Sequence, residues 1–247
     1  MVCWLAAEDV GRAPWDSPDN GFSGLSFSVR GGECVALEGR AGAVSAALRI
    51  LAGDERPGGG RVRVLHAGGM ADLTDAPPAR LLEIRRITVG VIESAPRLPP
   101  RLTGLEAVAG PGLRAGRSVE SAAGTARRLL GCLGVPEALW LRPIHQWPAG
   151  DRRRLAVALA FAVEYPVVLA DDPFCGLDAP GRRAVGRLLR QAVDRGSAVM
   201  LAGEGTAALA RRTVPVAVAS VPSRSAKDRD ANFASEAAHE ICYLNPS

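Results

Sequence analysis

The segment 166–178, PVVLADDPFCGLD, constrains the fold of this chain more than any other stretch. Its apolar run ends in two adjacent carboxylates, Asp171 and Asp172, and a Pro and a Gly-Leu-Asp sequence follow. This order predicts a buried strand that ends in an acidic pair. Such a pair can hold Mg²⁺ and orient a water in a phosphate-binding ATPase. An aspartate that caps the turn after a strand gives the same pattern, so both interpretations stand at this point.

Strand patterns alternate with helical patterns along most of the chain. Two alternating apolar stretches surround the turn at 30–33, which is typical of a strand, a tight turn and a second strand. The other predicted elements are strands within 57–69 and at 87–94, 166–171, 197–203 and 214–220, and helices at 46–53, 119–133, 151–164, 179–195 and 206–212. This alternation predicts an α/β fold with a mostly parallel sheet flanked by helices.

The composition argues against several classes of function. All but one of the 30 basic residues are arginine, the exception is Lys227, and the formal net charge is only +4. The arginines are spread along the chain without an aromatic-interleaved basic strip, so we expect no nucleic-acid role. Five widely spaced cysteines form no metal-ligand or disulfide pattern, which favours a reducing compartment. No signal peptide is visible and the longest apolar run, LAVALAFAV, is too short to span a bilayer, so we expect a cytoplasmic protein.

A glycine-rich segment at 39–46, GRAGAVSA, lies between a predicted strand and a predicted helix, where a phosphate-binding loop belongs. The pattern of that loop is G-x-x-x-x-G-K-[ST]: its amides wrap the phosphates, the lysine reaches the β and γ oxygens, and the hydroxyl ligates Mg²⁺. Here Val44, Ser45 and Ala46 stand at the last three positions. Taken alone, the segment is equally a plain glycine turn.

Four longer segments carry motifs in the order found in ATP-binding cassette subunits of ABC transporters, and the chain resembles that family over about residues 15–220. The segments are FSVRGGECVALEGRAG, LRILAGDERPGGGRVRV, VGVIESAPRLPPRLTGLEAV and PAGDRRRLAVALAFAVEYPVVLADDPFCGLD. The resemblance implies a P-loop NTPase-like nucleotide-binding domain at 1–221, with an N-terminal antiparallel β part and a helical subdomain at roughly 95–160. We expect the polar tail at 222–247 to be poorly ordered.

The resemblance also implies nucleotide contacts for residues at the family's ATP-binding positions: Gly39, Arg40, Gly42, Ser45, Ala46, Trp15, Ser94, Gly150 and Asp178. Ser45 stands at the lysine position, and Ser94 stands at the Q-loop glutamine position. The sequence WPAGD at 147–151 stands where the family has L-S-G-G-Q, so Pro148 removes a phosphate-contacting hydroxyl and an amide N–H. Trp15 falls near the aromatic that stacks on adenine in the family, although a lone Trp is equally often a packing residue.

The groups around the γ-phosphate are assigned in the same way. Asp171 matches the Walker B aspartate that holds Mg²⁺. Asp172 matches the general-base glutamate but is one methylene shorter, and a misplacement of about 1 Å can cost about a hundredfold in rate. Asp178 fits the D-loop aspartate, which contacts the opposite subunit in the family. Glu204 stands at the switch histidine, where a carboxylate repels a γ-phosphate.

Substitutions are therefore concentrated at groups that touch phosphate. They predict a catalytically degenerate cassette subunit that docks on a transmembrane subunit at the inner face of the cell membrane and pairs with a second cassette. ATP and Mg²⁺ are then expected to bind weakly. Two alternatives stay open: an active but atypical ATPase that uses Asp172 as base and Arg40 or Arg49 for phosphate charge, and a scaffold or regulatory protein on the same fold.

Overall fold

In the computed structural model the described residues are 2–13, 20–93, 99 and 101–217. Trp15, Ser94 and the tail at 222–247 lie outside them. The strands are β1 (Cys3–Arg12), β2 (Phe22–Arg30), β3 (Cys34–Glu38), β4 (Gly59–His66), β5 (Gly69–Asp72), β6 (Val89–Ile92), β7 (Val167–Asp171), β8 (Ala198–Ala202) and β9 (Arg212–Pro215). The helices are α1 (Ala41–Leu51), α2 (Pro78–Ile87), α3 (Gly104–Arg114), α4 (Val119–Cys132), α5 (Glu137–Trp140), α6 (Ala149–Ala160) and α7 (Ala179–Asp194).

The strands form two sheets of different type. A four-stranded sheet has the order β2-β1-β4-β5, and its strand pairs are antiparallel. A five-stranded sheet has the order β6-β7-β8-β3-β9, and its strand pairs are parallel. Because the strands of the second sheet all run in one direction, their carboxyl ends lie at one edge. That edge carries the acidic pair.

The parallel sheet is covered on both faces, and this explains why β7 is apolar up to its final residue, Asp171. Val167 and Leu169 belong to a core shared with the antiparallel sheet and α1. Val168 and Ala170 belong to a second core built with α3, α4, α6 and α7. Alternate side chains of a strand face opposite sides of its sheet. The predicted α/β class, with a parallel sheet, flanking helices and an N-terminal antiparallel part, is confirmed.

One sequence prediction of local structure is confirmed and another is wrong. The strand, tight turn and second strand predicted around 30–33 are present, although the two strands belong to different sheets: β2 pairs with β1, whereas β3 pairs with β8 and β9. The segment 206–212 is not a helix but a pair of tight turns in which Leu209 and Ala210 donate to carbonyls three residues back. A helix this short is marginal without packing, and Leu209 is its only large apolar side chain.

The sequence pattern also does not predict β1, α2 or α3. Helix α3 contains Pro111 and several glycines, which hide its periodicity. It begins because Thr103 and Glu106 form a reciprocal capping box, in which the Glu106 carboxylate accepts from the Thr103 amide at 2.9 Å. The longest described helix, α7, has 16 residues, and no described helix is long and apolar enough to cross a bilayer.

Candidate functional site

The glycine-rich segment connects β3 to α1 in a very short turn. A side chain at Gly39 would place its Cβ 2.8 Å from the carbonyl oxygen of Val216, so only glycine fits this close approach. Helix α1 begins at Ala41, and the Val44 amide already donates to the Arg40 carbonyl at 2.9 Å. Gly42, Ser45 and Ala46 therefore lie within the helix. The segment does not form an extended loop whose amides could surround several phosphates.

Ser45, at the lysine position, makes the central contact of the site. Its hydroxyl donates a hydrogen bond of 3.0 Å to Oδ1 of Asp171, a residue 126 positions away. The contact joins the first turns of α1 to the carboxyl end of β7. A carboxylate that holds Mg²⁺ uses its oxygens as ligands. Here one oxygen of Asp171 accepts a hydrogen bond from Ser45 instead.

A cavity of about 520 Å³ opens beside this hydrogen bond, and we call it the phosphate-loop cavity. Its lining residues are Leu37, Glu38, Gly39, Ala41, Val44, Ser45, Asp171, Asp172, Ala202, Gly203 and Glu204. Four of these side chains are carboxylates and none is basic. Near a protein surface, two like unit charges about 4 Å apart repel by about 4 kcal/mol. The cavity is therefore unfavourable for a polyanion that brings no cation of its own.

The donors present do not fit Mg²⁺ and a triphosphate in the arrangement of a phosphate-binding loop. Ala46 offers no hydroxyl to the metal, and Ser45 offers no charge to the β and γ oxygens. Within the part of the chain that the structure describes, no group of three His, Cys, Asp or Glu side chains could hold a metal ion. Asp171 is the residue expected to hold the metal, and its Oδ1 atom accepts the hydrogen bond from Ser45.

Asp172 and Glu204 come together at the far wall of this cavity. Asp172 has a φ of +46°, a left-handed conformation that Asp adopts more readily than most residues. Its amide donates to the Ala202 carbonyl at 2.9 Å. Gly203 has a φ of +105°, and its Cβ would lie 2.8 Å from Cα of Asp172. The tight packing of these two turns places both carboxylates toward the same space.

Gly150 and Asp178 form a second cluster, separate from the phosphate-loop cavity. They line a pocket of about 230 Å³ together with Asp151, Arg154, Gly176 and Leu177. Asp178 caps α7 by accepting from the Gly181 amide at 3.0 Å, and it accepts from Arg154 at 2.8 Å. The hydrogen bond from Arg154 is the larger cause that holds the pKa of the Asp178 carboxyl below its usual range, and the bond from the Gly181 amide adds to it.

Arg153 is a site residue that the sequence analysis missed. The basic run at 152–154 begins a predicted helix and is interpreted from sequence as a solvated face, but the Arg153 residue is only 8% exposed. Its guanidinium donates to the Glu93 carbonyl at 2.6 Å, to the Asp171 carbonyl at 3.1 Å and to the Asp172 carbonyl. It thus braces the backbone that carries the acidic pair.

Burial lowers the pKa of the Arg153 guanidinium, and the nearby Cys175, Asp172 and Asp171 oppose that effect. Helical spacing is the sequence signal that could have identified Arg153 as a buried residue. Ala156, Val157 and Ala160 lie three, four and seven positions after Arg153, and all three are buried. Arg153 therefore shares the apolar face of α6.

Comparison with known proteins identifies the family. The sequence profile of the ABC transporter family matches residues 22–175. An uncharacterized ABC transporter ATP-binding protein of Mycobacterium tuberculosis is 33% identical over 182 residues, or 73% of this chain and 54% of that protein. LolD, a lipoprotein-releasing system ATP-binding protein of Xanthomonas oryzae pv. oryzae, is 37% identical over 159 residues, or 64% of this chain and 63% of that protein. The chain belongs to the ABC transporter family.

Solved structures show the same fold. The ATP-binding cassette MJ0796, as a dimer in a post-hydrolysis state bound to ADP and Pi, superposes with a TM-score of 0.74 at 22% identity. The superposition covers 86% of this chain and 94% of that one. The chain spans about half the length, 54%, of the mycobacterial relatives that it matches.

Proposed function

We propose that this chain is a cassette subunit of an ABC transporter whose own ATP hydrolysis is weak or absent. It would act at the inner face of the membrane, dock on a transmembrane subunit and pair with a second cassette. Within it, 1–221 would form the nucleotide-binding domain, with the helices of 95–160 as its subdomain. ATP and Mg²⁺ bind it weakly in this proposal, and the chain contributes mainly its fold and its contacts.

The observation that carries the proposal is the hydrogen bond from Ser45 to Asp171. In an intact phosphate loop the corresponding side chain is a cation directed at phosphate. Here it is a neutral hydroxyl directed at a carboxylate. A charge-assisted hydrogen bond contributes about 1.5–3 kcal/mol, and every 1.4 kcal/mol is about tenfold in affinity. Loss of the lysine alone therefore costs about one to two orders of magnitude.

Isothermal titration of the purified chain with ATP and Mg²⁺ tests this step. We expect a Kd of about 1 mM or weaker, whereas a low-micromolar Kd would sink the proposal. A triple variant, Val44→Gly with Ser45→Lys and Ala46→Ser, restores the loop pattern and should gain at least about tenfold in affinity. Ser45→Ala is the control, because it breaks the bond to Asp171 without adding a cation and should gain nothing comparable.

A groove of about 510 Å³ between α2, β6, α3 and α6 is the contact that we propose for the transmembrane subunit. Leu82 lies at its edge and is 72% exposed, and Arg85, Arg86 and Arg114 line it. Leu82→Asp should abolish co-purification with the transmembrane subunit. Leu141→Asp, at a leucine that is 73% exposed and outside the groove, should leave co-purification intact. Equal recovery with both variants would exclude this groove as the contact.

The cluster of Gly150 and Asp178 is the surface that we propose for the second cassette. Cross-linking of single-cysteine variants within this cluster across two cassettes tests that surface, and a monomer at all concentrations would contradict it.

An active but atypical ATPase is the second candidate, and the position of Asp172 favours it. Its carboxylate lines the phosphate-loop cavity and could orient a water there. Under this alternative, Asp172→Asn abolishes ATP turnover by the assembled transporter. Under our proposal, the same variant leaves the turnover of the assembled transporter within about twofold, because hydrolysis takes place at the phosphate loop of the second cassette.

A further inference from the structure

A second cavity, of about 530 Å³, lies against α7, and we call it the α7 cavity. It shares only Asp172 and Glu204 with the phosphate-loop cavity. One wall is the side of α7 that carries Arg182, Arg183, Gly186 and Arg190, and the Arg182 guanidinium donates to the Leu177 carbonyl at 3.0 Å. The opposite wall consists of residues 174–176 and of the turns after β8. A volume of this size is in the range of small-molecule sites, which measure about 300–1,000 Å³.

The wall on α7 is a cationic stripe interrupted by a glycine. Arg183, Gly186 and Arg190 are spaced three and four residues apart, so they lie on one face of the helix. Neither Arg183 nor Arg190 forms a hydrogen bond or ion pair with any residue that the structure describes. Their Cα atoms are about 10 Å apart along the helix axis. Both long side chains can therefore reach a ligand held above Gly186.

Neither backbone geometry nor packing requires a glycine at position 186. A glycine within a helix costs about 1 kcal/mol relative to alanine, and Gly186 has no positive φ to justify that cost. A Cβ placed there would meet no atom within 4 Å. The missing side chain instead leaves open volume between two unpaired guanidinium groups.

We propose that the α7 cavity binds a small phosphomonoester. Its phosphate lies over Gly186 between Arg183 and Arg190, because guanidinium groups form strong paired hydrogen bonds with phosphate oxygens. Hydroxyl or amino groups at the other end of the ligand donate to Asp172 and Glu204. These two carboxylates also line the phosphate-loop cavity, so an occupied α7 cavity adjoins the position of the general base.

Isothermal titration without Mg²⁺ tests the site with three probes: inorganic phosphate, ribose 5-phosphate and AMP. We expect ribose 5-phosphate and AMP to bind with a Kd of about 1 mM or tighter, and inorganic phosphate to bind more weakly. The double variant Arg183→Gln with Arg190→Gln should lose at least about tenfold in affinity. Gly186→Leu should lose at least as much, because its side chain fills the cavity.

Two matched variants serve as controls. Arg187→Gln removes an exposed arginine of the same helix that does not line the cavity. Gly124→Leu adds a side chain within α4, where a Cβ also meets no atom within 4 Å. Both should bind the probes like the unmodified chain. If circular dichroism shows that Gly186→Leu does not fold, the double variant Arg183→Gln with Arg190→Gln tests the proposal by itself.

The proposal is overturned if none of the three probes binds. It is also overturned if binding survives in the arginine double variant, since the ligand then lies elsewhere, for instance in the phosphate-loop cavity. Equal losses of affinity in the double variant and in Arg187→Gln contradict the proposal as well, because they indicate nonspecific attraction of the probes to a basic helix. These outcomes are independent of whether ATP binds at Ser45.

Discussion

Replacing Arg153 by methionine tests how the backbone of the acidic pair is held in place. The residue is 8% exposed, and its guanidinium donates to the carbonyl oxygens of Glu93, Asp171 and Asp172. Methionine keeps much of the length of the apolar stem but makes none of these bonds. Arg153→Met therefore leaves three carbonyls beside the site without their donor.

The magnitude follows from two opposing contributions. A hydrogen bond from a charged donor contributes about 1.5–3 kcal/mol net, so three of them stabilise the fold by about 4–9 kcal/mol. Burying a guanidinium costs several kcal/mol. The lowered pKa of Arg153 and the missing partner of its Nε atom both reflect that cost. The balance is a loss of about 3 kcal/mol, out of a total of about 5–15 kcal/mol for a typical domain.

Thermal and urea unfolding followed by circular dichroism measure this loss. For a chain of this length, about 3 kcal/mol corresponds to a fall in Tm of about 6–12 °C. Arg152→Met is the control, since Arg152 is the exposed neighbour on α6 and its replacement should change stability by less than about 0.5 kcal/mol. Equal stability of the two variants would refute the reasoning, because the cost of desolvation would then cancel the three bonds.

Three further predictions concern other parts of the fold. Gly104→Ala should destabilise by about 1–3 kcal/mol in urea unfolding, because the new Cβ collides with the buried ring of Trp147; unchanged stability would contradict this packing. Burial raises the pKa of the Cys34 thiol to about 11, so iodoacetamide followed by peptide mapping should label exposed Cys132 at pH 8 and leave Cys34 unmodified. The lowered pKa of Asp178 means that its ionised form adds stability above the unfolded pKa of about 3.9, and that this stability is lost as the pH falls through the folded pKa. Asp178→Asn, which keeps the helix cap, should therefore unfold at lower urea than the unmodified chain at pH 7, and the difference should close as the pH falls through the folded pKa of Asp178; a difference that does not depend on pH would contradict the ionic contribution.

Elements with a strong local pattern could be predicted from the sequence. Strand β7 is apolar at its first four positions because both faces of the parallel sheet are covered, and α4 and α7 show helical periodicity. Helix α3 could not be predicted in the same way, since glycines and Pro111 conceal its pattern and a capping box starts it. The strand, turn and strand around 30–33 could also be predicted, but the division of the two strands between two sheets could not, because sheet membership depends on distant strands.

Motif order predicts family positions for the site residues, and these assignments stay predictions. The contacts that these residues make could not be predicted from the sequence. The sequence places Ser45 at a lysine position, but its hydrogen bond to Asp171 spans 126 residues and depends on how α1 packs against β7. The sequence also places Arg153 in a basic run, and burial alone distinguishes it from exposed Arg152.

The sequence by itself determined the α/β class and the family. These are properties of residue type and order along the chain. Only the tertiary structure decided that Asp171 is hydrogen-bonded to Ser45, that Arg153 braces the acidic pair, and that a glycine opens a cavity between Arg183 and Arg190. The physical reason is that parallel strands bring their carboxyl ends to one edge of the sheet. Side chains far apart in sequence meet at that edge, and their burial and electrostatic surroundings depend on those contacts.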